Sequence, residues 1–531
     1  MGRFQRDIKE KDFIFTFELV PGRSIRTKHF TSILRFIEKA PEHDFFSAFS
    51  ITDNAGGHPA LSPVALGRTI KNLGLSAIIH ITCKDKNRNQ LESELLALDR
   101  ENLHNLLVLT GDYPFYGYLG RAKPVFDFDS VLLLQMITEM ERGIEIPKGA
   151  PGGGTKLPPI PFFKGCAVSP FKLTVEELWL QYLKLYRKLK AGARFIITQV
   201  GFSPSAVYQL KLILKNGLTR YFSERLKDEN IHKPEEDGQF KQIPILPSIL
   251  YLQEGIAKAL LKKKVPGILL GKRVWERLKT NSFSEDAVLE VCAKLAVIYK
   301  KMGFKGVHLC GFPANWEVVK HFFKLYNHFS QQIQERENLY YELLNEFDDY
   351  VVYEDNGKFV ERPLANLDTP LPKSRFSISY FVNNIAHQVF FSKVSPLYQV
   401  LSKIFTWISR KRSFETLLTS FEYFVKRPLF HCQECGDCTL WDFNYLCPQS
   451  QCAKYLLNGA CGGSINSFCE VYPYKKVCLY VRVLKQGNPR ETIRRYLVKD
   501  PPYLPPRDWS LYRTSSWLNF YLKRGHFSYE D

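Results

Sequence analysis

At 531 residues and 61.6 kDa the chain exceeds one ordinary core, so two or three domains are expected. Hydrophobic residues at 45% and a mean hydropathy of -0.21 exclude collagen and disorder. The start, MGRFQRDIKEKDF, is too charged for a signal peptide and no apolar run reaches membrane-spanning length, so the expectation is a cytoplasmic protein without a membrane span.

The net charge of +19 predicts attraction to anions such as nucleic acid, polyglutamate tails, phosphates or an acidic protein; a merely solvated basic surface is the alternative. Cysteine is distributed unevenly. Residues 1–431 hold Cys83, Cys166, Cys292 and Cys310, whereas residues 432–478 hold eight more. In a reducing compartment such a cluster points to metal or iron-sulfur ligation rather than disulfides.

In chain order, short apolar and β-branched runs fall at 13–19, 45–52, 75–82, 105–110, 163–168, 194–199, 243–250 and 305–311. Their nearly continuous hydrophobicity predicts parallel strands buried on both faces. Helical patterns separate them: residues 174–190 open on Thr174 as N-cap and end before Gly192, and residues 62–73 carry Ser62 before Pro63. Eight β-then-α units predict an α/β fold, a (β/α)8 TIM-type barrel over residues 1–330, with a doubly wound open sheet as the alternative. The stretch 148–161 is too rich in Gly and Pro for regular structure and is read as a flexible loop, a candidate lid over the barrel mouth.

Polar residues gather at the strand ends, where a barrel builds its active site: Glu18, Thr52, Asp53, His80, Thr82, Thr110, Gly111, Asp112, Ser169 and Gln199. Taken singly, Glu18 reads as a salt-bridge partner and His80 as a hydrogen-bonded core histidine; six converging ends favour a site.

After residue 329 the pattern changes. Residues 331–375 read as a linker, and 376–531 as a smaller cysteine-rich α+β metal-binding domain with a basic tail. Cys432, Cys435 and Cys438 form C-x2-C-x2-C, followed by Cys447-Pro448, a spacing similar to ferredoxin ligation with a longer last gap. Cys452, Cys461, Cys469 and Cys478 supply four more thiolates, enough in total for two [4Fe-4S] clusters or two zinc ions. The basic, aromatic tail suits an acidic electron carrier such as ferredoxin better than nucleic acid, and a packed basic tail is the plainer reading.

The segments FTFELVPGR (15–23), FSITDNAGG (49–57), IHITCKDKN (79–87), LVLTGDYP (107–114), LKAGARFIITQ (189–199) and VPGILLGKRVWERL (265–278) resemble, in order and spacing, the motifs of the methylenetetrahydrofolate reductases, flavin-containing TIM barrels. The resemblance implies that Glu18 is the general acid opening the imidazolidine ring of 5,10-methylenetetrahydrofolate. It places Asp112 against pterin and flavin, and Gln199 on the folate side. It assigns Thr52, Asp53, Ala55, His80, Thr110, Gly111 and Lys188 to the flavin, FAD or alternatively FMN. An apolar surround is expected to keep part of Glu18 protonated near neutrality.

The cysteine segment resembles the C-terminal domain that accompanies these reductases in anaerobes, through Asn458–Gly463 and Cys469–Val471. There, iron-sulfur centres relay electrons to the flavin. The implied partners are folate and reduced ferredoxin, or NAD(P)H if the tail is a zinc domain; self-association stays open. An inactive barrel acting as a basic scaffold for nucleic acid or a methyltransferase is the reading from another class.

Overall fold

The computed structural model describes all residues except 1, 150–151, 356, 367, 369–373, 375–376, 500 and 527–531. By its internal contacts the chain divides into two compact units, Met1–Thr369 with Cys461–Asn466, and Pro370–Ala460 with Ser467–Asp531.

In the first unit the eight apolar runs form β1 (Ile14–Leu19), β2 (Ala48–Ile51), β3 (Ala77–Thr82), β4 (Asn105–Leu109), β5 (Phe163–Val168), β6 (Phe195–Val200), β7 (Ile245–Leu250) and β8 (Gly306–Cys310). They close into one parallel barrel in sequence order, β1 pairing with both β2 and β8. Closure leaves no unpaired edge, and the intervening helices cover the outside. Thr174 caps its helix (Val175–Lys190) by accepting from the Glu177 N–H, whereas Ser62 makes no such side-chain bond at Pro63–Asn72.

The bottom of the lumen is apolar. Ile14, Ala48, Ile78, Leu107, Phe163, Phe195, Ile197 and Leu246 pack around Phe4 and Ile8, which the N-terminal helix Arg3–Glu10 inserts from below. Phe4 meets the rings of Phe163 and Phe195 edge-on at 5.9 and 5.4 Å. Two residues further along β1, β2 and β3 the same face becomes polar with Thr16, Ser50 and His80, joined by His308 of β8, all buried.

Three expectations change. The loop before β5 joins the end of helix Ser130–Arg142 to the start of a strand, so it lies at the N-terminal end of the barrel and is no lid on the mouth. Its described part is a turn in which Ile146 N–H donates to Thr155 O at 2.9 Å and Gly154 N–H to Ile146 O at 2.9 Å. The first unit continues past residue 330, because helix Glu337–Leu344 and the antiparallel hairpin β9 (Tyr350–Asp355)–β10 (Lys358–Pro363) follow, burying Val351, Val352 and Tyr353.

The second unit is helical in its described residues. Helices Ile378–Phe390, Pro396–Ile408 and Arg412–Phe430 precede the cysteine segment, and Leu479–Gln486, Pro489–Val498 and Ser516–Tyr521 follow it. In place of the strands of an α+β domain there is one isolated antiparallel bridge, Phe468 to Val477. Among the described residues no helix is long and apolar enough to cross a membrane.

Phe4→Ala is expected to lower stability by about 3–5 kcal/mol, the cost of emptying a fully buried aromatic site. Urea denaturation followed by circular dichroism measures it, and a loss under about 1 kcal/mol would show that the plug is not part of the barrel core.

Candidate active site and cysteine groups

Glu18 ends β1 on the lumen side, level with Ser50 of β2. Below it, Thr16 Oγ1 lies 2.8 Å from His308 Nδ1 and donates to Val307 O at 3.4 Å, which holds the imidazole with its Nε2 toward Glu18. That Nε2 stands 3.9 Å from the Glu18 carboxylate. Across the lumen His80 Nε2 shares a 2.7 Å hydrogen bond with Ser50 Oγ. Burial above all drives His80 down to about 4, so it is neutral at pH 7.

For Glu18, burial pushes the carboxyl up, but the hydrogen bond and charge of His308, together with the Gly311 N–H, outweigh it. The carboxyl sits below its usual range. This corrects the expectation of a partly protonated acid: the neighbours of Glu18 across the lumen are polar, while Phe17 and Leu19 point to the helix layer. Cys310 of β8 is the third side chain here, its thiol pushed up by burial and by the Glu18 charge.

Asp53 forms a separate network at the ends of β2 and β3. Its Oδ2 accepts from Thr82 N–H (3.0 Å), Thr82 Oγ1 (2.7 Å) and Lys86 Nζ (2.8 Å), and Lys84 Nζ donates to Asp53 O at 2.8 Å. Burial would raise the Asp53 carboxyl, but Lys86 and Lys84 hold it below its usual range. The stem of Lys84 underlies Gly111, whose φ of +90° and 3.1 Å approach admit no side chain there. The turn after β2 meets the loop after β4: Gly56 N–H donates to Asp112 Oδ2 at 2.9 Å, with Ala55 beside it and Asp112 exposed. Thr110 Oγ1 donates to Ser130 Oγ at 3.2 Å.

Gln199 sits where the β6–β7 register shifts, between Ile197 and Val200, an irregularity that re-aims side chains at a barrel rim. Its Oε1 accepts from the Val200 N–H at 3.0 Å. Lys188 is the outlier. The helix Val175–Lys190 places it behind β5, against Cys166 of the helix-facing side, with Nζ donating to Ala167 O at 2.6 Å and burial pulling it down to about 8. The other sequence-derived positions meet at the mouth, and Lys188 does not join them. Two hydroxyls at the strand ends, Thr52 Oγ1 and Ser169 Oγ, are buried without a hydrogen-bond partner, which a polar ligand in the mouth would satisfy.

Thr16, Ser50, His308, Lys84 and Lys86 belong to this site and were missed in the sequence. For Thr16 and Ser50 the signal is the period of two: Ile14-Thr16-Glu18 and Ala48-Ser50-Thr52 each run from apolar to polar along one face.

In the second unit Cys432, Cys435, Cys438 and Cys447 line one pocket with Glu422, Lys426, Arg507 and Ser516. Cys435 is pushed up to about 12 by burial and by the other three thiols, against the pull of Arg507. Arg507 donates to Cys435 Sγ at 3.3 Å, and Lys426 donates to Cys438 Sγ at 3.7 Å and to Glu422 at 2.7 Å. Cys452, Cys469 and Cys478 form a second group; burial and the two other thiols raise Cys478 to about 12. Cys461 belongs to the first unit, where its carbonyl accepts from Gln181 Nε2 at 3.0 Å.

No curated protein matches the sequence significantly. Among solved structures, an uncharacterized protein from Clostridium thermocellum that binds two copies of 5-methyl-5,6,7,8-tetrahydrofolic acid is 12% identical (62% of this chain, 99% of that chain, TM-score 0.39). DmoA from Hyphomicrobium sulfonivorans is 10% identical (61% and 88%, TM-score 0.36), and the long-chain alkane monooxygenase LadA is 10% identical (61% and 91%, TM-score 0.33). The family models are specific: methylenetetrahydrofolate reductase matches residues 3–216, and the methylene-tetrahydrofolate reductase C terminal matches residues 412–510. With both models satisfied in one polypeptide, the chain belongs to the methylenetetrahydrofolate reductase family and joins its barrel to its C-terminal domain.

Proposed function

We propose that the protein reduces 5,10-methylenetetrahydrofolate to 5-methyltetrahydrofolate on a flavin held at the barrel mouth, with electrons entering through iron-sulfur centres of the cysteine segment. The observation that carries the reading is Glu18, a lone lumen carboxylate facing His308, beneath the orphaned hydroxyls of Thr52 and Ser169.

A bound flavin supplies the hydride. Thr52, Asp53, Ala55, His80, Thr110, Gly111 and Asp112 would hold it, as FAD or, if the adenine side is not gripped, FMN; Lys188 would act only from behind β5. Asp112, tethered by the Gly56 N–H, and Gln199 at the β6 irregularity would orient the pterin. Glu18 would give its proton to the folate nitrogen that leaves the methylene carbon, so that the ring opens to a reactive iminium. In the free protein this carboxyl is held anionic. A stacked pterin would expel water from the mouth and raise it toward the donor form. Neutral His80 adds no charge that would oppose the cationic iminium.

In the second unit the chemistry of the donors supports the relay: four thiols line one pocket with two buried cations that offset thiolate charge, and three more thiols form a second group. The electron donor proposed is reduced ferredoxin; NAD(P)H with structural zinc would show instead as zinc without iron on metal analysis.

Glu18→Gln should keep flavin binding and flavin reduction while folate reduction falls at least about a hundredfold. Because the protonated carboxyl is the active form and Glu18 sits below its usual range, single-turnover reoxidation of the reduced flavin by methylenetetrahydrofolate should quicken as pH falls, and Glu18→Gln should flatten that slope. Wild-type turnover in the variant would remove Glu18 from the mechanism.

Anaerobically isolated protein should contain about eight iron atoms per chain. Cys435→Ser should lose roughly half of them and abolish ferredoxin-driven activity, while chemically reduced flavin is still reoxidised by methylenetetrahydrofolate. Unchanged ferredoxin-driven turnover in Cys435→Ser would overturn the relay.

A further inference from the structure

Large apolar side chains exposed to solvent concentrate between Ile378 and Leu429. They fall at helical spacing on three successive helices. Ile378–Phe390 shows Ile378, Phe381 and Ile385; Pro396–Ile408 shows Val400, Ile404 and Trp407; Arg412–Phe430 shows Leu417, Phe421 and Phe424. The most exposed reach 71% (Ile378), 67% (Leu417) and 77% (Phe424).

These stripes are not misplaced core, because each helix already packs another face inside its own unit. His387 stacks on Trp441 at 4.0 Å, Phe405 packs with Leu518 and Tyr521 together with Tyr398, Leu401 and Leu418, and Glu422 and Lys426 face the cysteine pocket. Apolar surface left over on this scale marks an interface. The first two helices lie outside both segments that match the family models, and the third lies within the C-terminal one.

The charges around the stripes decide what covers them. Lys393, Lys403, Arg410, Lys411 and Arg412 are all exposed, Lys403 within the second helix and the others in the turns and ends, while of the two glutamates Glu422 is buried against Lys426. A second copy of a +19 chain would set these cations against their own equivalents across a two-fold axis. An anionic lipid surface answers both features at once, with acyl chains for the Phe, Ile and Trp side chains and headgroups for the Lys and Arg. We propose that the helices over residues 378–430 seat the protein on the surface of an anionic membrane, as a peripheral attachment without a span.

The test uses the full-length protein and sedimented vesicles, one set of phosphatidylcholine and one with a third phosphatidylglycerol. Binding is expected to the second set and to be at least tenfold weaker for the first, since each surface cation contributes about fivefold. The combined variant Phe381→Asp, Trp407→Asp, Phe424→Asp should lose binding by a further tenfold or more with the circular dichroism spectrum and folate turnover kept. If that variant misfolds, Lys403→Glu with Lys411→Glu, which leaves the apolar stripes intact, should still reduce binding and do so less at high salt. Three outcomes would overturn the proposal: no binding to the anionic vesicles at low salt, binding that ignores the apolar substitutions, or a dimer in sedimentation equilibrium that the apolar substitutions dissociate.

Discussion

The active centre depends on how a barrel lumen handles charge. Eight strands bring their inward residues into layers, and here the layers change character with height: a plugged apolar floor, a ring of hydroxyls and imidazoles, then one carboxylate. A carboxylate at that depth is tolerable only with hydrogen-bonding neighbours. His308, fixed by Thr16, and the Gly311 N–H supply them. Their effect exceeds that of burial, so the carboxyl sits below its usual range despite its depth.

The rim above is built by a different set of contacts that keeps the loops after β2, β3 and β4 in register. Asp53 is consumed by Thr82 and Lys86, the stem of Lys84 fills the space under Gly111, and Asp112 ties the fourth loop to Gly56 of the second. Because these bonds are internal, a ligand need not organise the rim. What remains for a ligand are the buried hydroxyls of Thr52 and Ser169.

The cysteine unit follows the same logic with the sign reversed. Four thiols gathered in one pocket would repel one another as thiolates, and the buried cations Arg507 and Lys426 stand against Cys435 and Cys438. Burial alone would pull Lys426 down, yet the Cys438 thiol and Glu422 hold it above its usual range. The helix Arg412–Phe430 thus serves two surfaces, an inward face at the thiols and an outward apolar one.

The sequence by itself determined the barrel, because strands buried on both faces must be written as apolar runs, and eight such runs appear where the eight strands lie. It also put Glu18, Asp112 and Gln199 at or just past strand ends, where a barrel can show polar groups. Tertiary structure alone decided which residues surround Glu18: Thr16 and His308 are 292 positions apart in sequence and touch only because β8 closes on β1. It placed Lys188 behind β5 rather than in the mouth, since helical periodicity does not say which side of a strand a long side chain will reach. It grouped Cys432, Cys435, Cys438 and Cys447 around one pocket. Spacing constrains only how far two thiols can be apart; which of them converge is set by the path of the chain between them.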